Sequence, residues 1–166
     1  MLRSKAARSR LLPLVASFFL LATAAWAQPG NDNPCGAEVL TPGVACTYST
    51  WSNVAATATT GPPAPGCASY NGGDVWFQIT IPVGGSVTVT TATVGGSALT
   101  DGGMAFYTAA TCAGPFTLVS CNDDSNGLMP VLTYTGTPGA TLWVRVWEFG
   151  NNAFGAFNIC ATTPPP

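Results

Sequence analysis

Short runs of alternating apolar and polar residues are the feature that most constrains the fold of this chain. In Val75–Ile81, four apolar side chains at every second position share one side, and Val87–Thr90 alternates in the same way. A period of two indicates a β-strand with one buried face. Comparable runs occupy residues 104–109, 116–121, 131–135, 141–147 and 157–160, with earlier pieces near 37–40 and 45–57. Turns that contain glycine separate them, so the sequence predicts an all-β antiparallel sandwich or barrel of eight or nine strands.

The first 27 residues have the three parts of a secretory signal peptide. Arg3, Lys5, Arg8 and Arg10 precede the apolar run 11–22, and Ala25-Trp26-Ala27 is a small-x-small cleavage site. We expect residues 1–27 to be removed and the protein to be secreted or held at the cell surface, free of the membrane. Retention of the apolar run as an anchor is the alternative. The domain is predicted over residues 28–161, followed by a Pro-rich tail at 162–166 that resembles the start of a linker.

Cleavage would leave a strongly acidic chain. Arg145 would be its single basic residue against seven acids, a formal net charge of −6, and the sequence has no His. This charge repels phosphate, so no nucleic-acid partner is expected. Without His or Lys, a Ser-His or Cys-His pair and a Schiff base are excluded. The sequence therefore predicts a protein that is not an enzyme, and a small hydrolase that uses a pair of carboxylates is the alternative.

Six cysteines lie in the predicted domain, and an even number in an exported domain indicates three disulfides. A zinc site is disfavoured because the sequence has neither a CxxC pair nor a His. Fifteen pairings are open. We predict Cys112 with Cys121 across a short hairpin, Cys46 with Cys67 across a Pro-rich stretch, and Cys35 with Cys160 between the two ends of the domain.

Acidic residues cluster in two predicted turns. Asp123, Asp124 and Asn126 lie in the segment 122–127, and Asp101 precedes two glycines at the start of another strand. Calcium is bound by carboxylate, amide and backbone oxygens, and a glycine-containing loop can supply several of them. Tight turns need the same residue types for conformational reasons. We expect Asp101, Asp123 and Asp124 to converge at one end of the sandwich and to bind calcium, with Asn126 or a backbone carbonyl completing the shell.

Trp143, Arg145 and Trp147 share one face of a predicted strand, opposite Leu142, Val144 and Val146. They could form an aromatic platform for a sugar or a peptide, with Arg145 as polar anchor. Alternatively, Arg145 stacks between tryptophan rings and pairs with a carboxylate such as Asp74 or Glu148. We favour the second, structural interpretation.

Six segments in order resemble the bacterial pre-peptidase C-terminal domain. They are Asn31–Ala37, Gly73–Phe77, Asp101–Tyr107, Ser120–Asp124, Leu142–Trp147 and Gly155–Cys160. The resemblance covers residues 31–161 and implies a jelly-roll sandwich, distantly similar to CUB domains. Such domains accompany secreted peptidases, adhesins and surface proteins without being catalytic, and some relatives bind calcium, polysaccharide or collagen.

The resemblance and the residue inventory together predict a secreted, non-catalytic adhesion module, stabilised by calcium, that binds extracellular polysaccharide or protein. A self-associating surface or filament subunit is the alternative, because low-charge, Thr-rich strands with exposed edges can pair between chains.

Overall fold

The computed structural model describes residues 27–164, which form two packed β-sheets. The strands are β1 (Glu38–Val39), β2 (Ser49–Ser52), β3 (Val75–Thr80), β4 (Ser86–Thr93), β5 (Gly102–Thr108), β6 (Thr117–Asn122), β7 (Val131–Thr135), β8 (Thr141–Glu148) and β9 (Ala156–Thr162). Single 3₁₀ turns lie at Pro34–Gly36 and Phe149–Asn151. The predicted signal peptide lies outside the described residues apart from Ala27. Within them, no helix is long and apolar enough to cross a bilayer.

The strand order is that of a jelly roll with one additional strand. One sheet has the order β1-β3-β8-β5-β6 and the other has the order β2-β9-β4-β7. Every strand pair is antiparallel except β1 with β3. From β3 onward the strands coincide with the predicted runs to within one or two residues, except that β4 extends three residues beyond its run. The predicted all-β sandwich is therefore confirmed. Strand β9 extends one residue beyond the predicted end of the domain at 161.

The main core lies between the two sheets. Its fully buried members include alternating side chains of five strands: Val75, Phe77, Ile79, Val87, Val89, Met104, Phe106, Leu142, Val144, Val146, Phe157 and Ile159. Threonine, serine and glutamine occupy most of the opposite positions on β3 and β4. The period-two pattern therefore predicts the core-facing side of β3, β4 and β8 correctly.

A second, smaller core covers the outer face of the five-stranded sheet. Its buried members are Ala68, Trp76, Ala105, Tyr107, Trp143 and Trp147. Residues 53–74, which we call the covering segment, lie over Trp76, Tyr107 and Trp147, while Phe116 of the β5–β6 loop packs against Trp143. The indole of Trp147 donates to the Ala68 carbonyl at 2.8 Å, and the Tyr107 hydroxyl donates to the Pro63 carbonyl at 2.9 Å. The molecule therefore has an extra layer on this side of the sandwich.

All six cysteines form disulfides, but the three predicted pairings are wrong. The structure pairs Cys35 with Cys112, Cys46 with Cys160, and Cys67 with Cys121. Cys121 lies four residues beyond the start of β6, about 14 Å along the strand from the hairpin end near Cys112. A disulfide requires Cα atoms within about 7 Å, so this hairpin cannot be closed by its own cysteines. The partners are 54 to 114 residues apart because the jelly roll brings distant segments together.

Candidate metal centre

Three carboxylates converge at one end of the sandwich. Asp101 directly precedes β5, and Asp123 and Asp124 directly follow β6. These strands are antiparallel neighbours, with Met104 opposite Asn122, so the start of β5 lies beside the end of β6. One oxygen from each of the three carboxylates lies within 4.8 Å of the others. The predicted convergence is therefore confirmed, whereas the binding of calcium stays a proposal.

Two oxygens of this cluster have no hydrogen-bond partner. The Oδ1 atoms of Asp101 and Asp123 are each inaccessible to solvent and receive no hydrogen bond from the described residues. A carboxylate oxygen that loses water without gaining a donor is costly. The arginine of the described chain is held by Asp74, so it does not neutralise the cluster. Oxygen donors of this kind suit calcium, which takes six to eight of them from carboxylates, carbonyls and water.

The pKa values of Asp101 and Asp123 are both raised, first by burial and then by neighbouring negative charges. Partial burial, followed by the charges of Asp124 and Glu148, raises the pKa of Asp101. Partial burial, followed by the charges of Asp124 and Asp101, raises the pKa of Asp123. Each shift means that the folded protein disfavours the ionised carboxylate. A bound cation would reverse this effect by compensating the crowded negative charge.

Asn126 contributes to the loop that carries Asp123 and Asp124. Its side-chain amide donates to the Thr91 carbonyl at 3.1 Å, and its backbone N–H donates to the Met129 carbonyl at 2.8 Å. The first bond ties the β6–β7 loop to β4, and the second closes the loop on itself. The role of Asn126 as a metal ligand stays a prediction.

Glu148 is a neighbour of the cluster that sequence reasoning considered only as a partner for Arg145. It ends β8, opposite Gly102 of β5, and is 4% exposed. Its Oε2 accepts from the Asn152 N–H at 2.7 Å. The alternation of β8 was the missed signal, because positions 142, 144, 146 and 148 share the face opposite Arg145.

Trp143, Arg145 and Trp147 do not form the ligand-binding platform that was one of the two interpretations of the sequence. The three side chains share one face as predicted, but they are buried, with exposures of 4%, 1% and 0%. The covering segment lies over Arg145 and Trp147, and Ala109 and Phe116 of the β5–β6 loop contact Trp143, so the three side chains offer no surface to a ligand. Of the two interpretations the structural one is correct.

Arg145 pairs with Asp74, one of the two expected carboxylates. Its Nε donates to Asp74 Oδ2 at 2.9 Å, and its Nη2 donates to the Thr59 carbonyl at 3.1 Å and to the Tyr70 hydroxyl. The guanidinium carbon lies 4.0 Å from the Tyr70 ring centroid and 5.2 Å from that of Trp76. The stacking therefore involves these rings and not those of Trp143 and Trp147.

Asp74 receives a complete set of donors. Besides Arg145, the Tyr70 hydroxyl donates at 2.7 Å, the Trp76 indole at 2.8 Å and the Thr59 N–H at 3.1 Å. Burial by itself would raise the pKa of Asp74, but the hydrogen bond and charge of Arg145, aided by Thr59 and Tyr70, lower it. The sequence signal for Tyr70 and Thr59 was absent, since both lie in a segment without periodicity.

The sequence matches no family model and no curated protein. Among solved structures, the chain is similar to the pre-peptidase C-terminal domain of a collagenase from Bacillus anthracis. The TM-score is 0.45 and the identity is 10%, covering 76% of this chain and 96% of that chain. This is the family that the sequence motifs resemble. The identity is too low, and the superposition too loose, for any residue's role to be transferred.

Proposed function

We propose that the protein is a secreted, non-catalytic binding and adhesion module that calcium stabilises. The observation that carries the proposal is the convergence of Asp101, Asp123 and Asp124 with two unpartnered, inaccessible oxygens. Three disulfides support export, because such bonds persist in oxidising compartments outside the cytosol. The ligands proposed for the module are extracellular polysaccharide or protein.

The residue inventory supports a non-catalytic role. The chain has no His, and its cysteines are all in disulfides, so neither can supply a base or a thiolate. Arg145 is buried against Asp74 and is not available to a substrate. The carboxylate cluster is the remaining candidate for catalysis. Its oxygen atoms are better suited to binding a cation than to acting as a nucleophile.

Calcium would act on stability by joining two chain segments. The metal would connect the residue before β5 to the residues after β6, which is an edge strand of its sheet. A ligand that binds only the folded state stabilises it by about 2.7 kcal/mol when its free concentration is a hundred times the dissociation constant. The ion would therefore hold the β6 edge in place.

Thermal unfolding with calcium and with a chelator tests the metal. We expect calcium to raise the Tm by several degrees relative to chelator, and Asp123→Asn to remove this difference. Glu38→Gln is the matched control, since it also removes one negative charge but lies in β1, away from the cluster. Identical melts of the unmodified protein in calcium and in chelator would contradict the metal site.

Self-association is the second candidate function, and the β7 edge favours it. Strand β7 is an edge of the four-stranded sheet, carries no charged residue, and exposes Thr133 and Thr135. Uncharged edge strands can pair with a second chain. Light scattering at high concentration separates the candidates: a larger species supports a filament or surface subunit, whereas a strict monomer excludes it.

A further inference from the structure

A cleft of about 600 Å³ opens at the end of the sandwich opposite the carboxylate cluster. It lies where β5 ends and β6 and β8 begin, and β7 of the other sheet forms its far wall. Its volume is in the range of roughly 300–1,000 Å³ found for ligand sites. Strand β5 spans Gly102–Thr108, so about 20 Å separates the cleft from the cluster.

Hydroxyl groups line this cleft from several directions. Thr108, Thr117, Thr137 and Thr141 all contribute to its wall. None of these four hydroxyls makes a side-chain hydrogen bond to another group of residues 27–164, in contrast with the paired hydroxyls of Thr88 and Thr133. Each can donate one hydrogen bond and accept two. The cleft therefore presents several short side chains that can donate and accept hydrogen bonds.

One aromatic ring is held in a fixed position at the cleft. Tyr134 lines it and packs against the main core. A Cβ atom at Gly136 would overlap the Tyr134 ring and come within 3.0 Å of Ile81. The absence of a side chain at position 136 therefore leaves the space that the Tyr134 ring occupies. A pre-positioned ring binds at a lower entropic cost than a mobile one.

The charge of the cleft is the third observation. Its lining residues are uncharged, being Thr, Ala, Gly, Pro, Ile and Tyr. After the predicted signal peptide the sequence has seven acidic residues and one arginine, so its net charge is negative. A polyanion would be repelled by the net charge, and a carboxylate or ammonium group would find no partner in the cleft. A ligand rich in hydroxyls with an apolar ring face matches both the threonines and Tyr134.

We propose that this cleft is a binding site for an uncharged polysaccharide. A sugar ring packs its C–H face on Tyr134, and its hydroxyls exchange hydrogen bonds with the surrounding threonines. The proposal rests on the proposed binding role of the module, and it is independent of calcium because the cluster lies at the other end of β5. The cleft gives the module a specific ligand class and a specific surface.

Affinity electrophoresis in gels containing laminarin, dextran or xylan tests the site, with alginate and gelatin gels as the charged and protein probes. We expect retardation by at least one neutral polysaccharide, in calcium and in chelator alike, and none by alginate or gelatin. Thr117→Val and Thr137→Val remove one hydroxyl each without changing shape. Each should weaken binding about threefold to tenfold, since a net hydrogen bond has that value.

Three further variants complete the design. Gly136→Ala displaces the Tyr134 ring and Tyr134→Ala removes it, so both should lower the affinity by at least about tenfold. Thr135→Val is the matched control, because it is exposed on the same strand but does not line the cleft. Circular dichroism melts check that each variant is folded. If Gly136→Ala or Tyr134→Ala does not fold, Thr117→Val and Thr137→Val still test the cleft.

The outcomes separate the cleft from the proposed function. Binding to a neutral polysaccharide that the cleft variants leave unchanged overturns the cleft while the module remains. Binding to alginate or gelatin alone, or binding to a neutral polysaccharide that is lost in chelator while the protein stays folded, also overturns the cleft. No binding to any of these probes by folded protein counts against both the cleft and the binding module.

Discussion

At the scale of single residues, Arg145 lies in a buried polar network with Asp74, Thr59 and Tyr70. It is 1% exposed, pairs with Asp74, and stacks between Tyr70 and Trp76. Taking two charges out of water is costly, and their attraction repays that cost only when the remaining donors and acceptors are satisfied. Here hydrogen bonds with Thr59, Tyr70 and Trp76 satisfy the remaining donors and acceptors of the pair. The pair therefore fixes the covering segment on the sheet, and its energy depends on both partners.

Removing both partners of this pair should cost less than the sum of removing each partner alone. Arg145→Met leaves a buried carboxylate without its cation, so we expect a loss of about 3–5 kcal/mol in the free energy of unfolding. The double variant Arg145→Met with Asp74→Leu leaves no buried charge and should lose less than the sum of the two single variants. Urea denaturation of all three measures the coupling. Additive losses would contradict a coupled pair.

The carboxylate cluster and Asp74 should respond to pH in opposite directions. Because folding raises the pKa of Asp101 and Asp123, their contribution to stability is fully present below the unfolded pKa of about 3.9 and is lost as the pH rises through the raised values. Because folding lowers the pKa of Asp74, its contribution is present above the unfolded pKa and is lost as the pH falls through the lowered value.

Asp123→Asn isolates the part due to the cluster. In chelator, the variant should gain stability relative to the unmodified protein as the pH rises from 3.5 to 7, by less than about 1 kcal/mol because the group is partly solvated. In saturating calcium the variant should instead lose stability relative to the unmodified protein as the pH rises, since it has lost a metal ligand. Urea titrations at pH 3.5, 5 and 7 measure both effects. A stability difference between the two proteins in chelator that does not change between pH 3.5 and 7 would be inconsistent with a raised pKa of Asp123.

At the scale of elements, the outer face of the five-stranded sheet determines where the covering segment lies. Gly103 of β5 makes room for the contact, because a Cβ atom there would overlap the Trp147 ring and the Ala68 side chain. Large rings on β8 face a position without a side chain on β5. The segment 53–74 can therefore approach the sheet closely.

Gly103→Ala should test this close approach. The added methyl group overfills the contact between Trp147 and the covering segment, so we expect a loss of about 1–3 kcal/mol. Gly95→Ala is the control, since a Cβ atom there meets nothing within 4 Å. Chemical denaturation compares the two variants, and near-ultraviolet circular dichroism reports the tryptophan environment. Equal stability of both variants would show that the sheet and the segment adapt without cost.

At the scale of the whole molecule, the disulfides connect segments that are distant in the chain. Cys67 anchors the covering segment to Cys121 of β6, and Cys46 holds the chain before β2 against Cys160 of β9. Cross-links of this length remove conformational freedom mainly from the unfolded chain. They stabilise a small domain whose core is divided between two sides of one sheet.

Replacing Cys67 and Cys121 together by serine should lower the free energy of unfolding by about 2–5 kcal/mol. The fold should be retained at 25 °C, because the other two disulfides and the main core are unchanged. Guanidinium denaturation measures the loss, and mass spectrometry of unreduced peptic peptides checks the pairs 35–112 and 46–160 in the variant. A variant with those two pairs intact and unchanged stability would contradict this role of the third disulfide.

The sequence by itself determined which segments become strands and which side chains face the main core. It also determined the approach of Asp101 to Asp123 and Asp124. These properties follow from alternation along a strand and from the pairing of consecutive strands in a hairpin, so they are local. Arg145, the single basic residue after the predicted signal peptide, was enough to predict a pair with a carboxylate such as Asp74 or Glu148, and the structure selects Asp74.

Only the tertiary structure decided the cysteine partners, the cover over the tryptophan face and the cleft. Alternation shows that Trp143 and Trp147 share a face with Arg145, but it does not show what lies over that face. The covering segment has no period, and its position depends on hydrogen bonds such as that from the Trp147 indole to Ala68. Likewise, Cys46 meets Cys160 across 114 residues because the jelly roll places β9 beside β2. Contacts between segments so far apart are set by the packing of the whole chain, and proximity in the sequence carries no information about them.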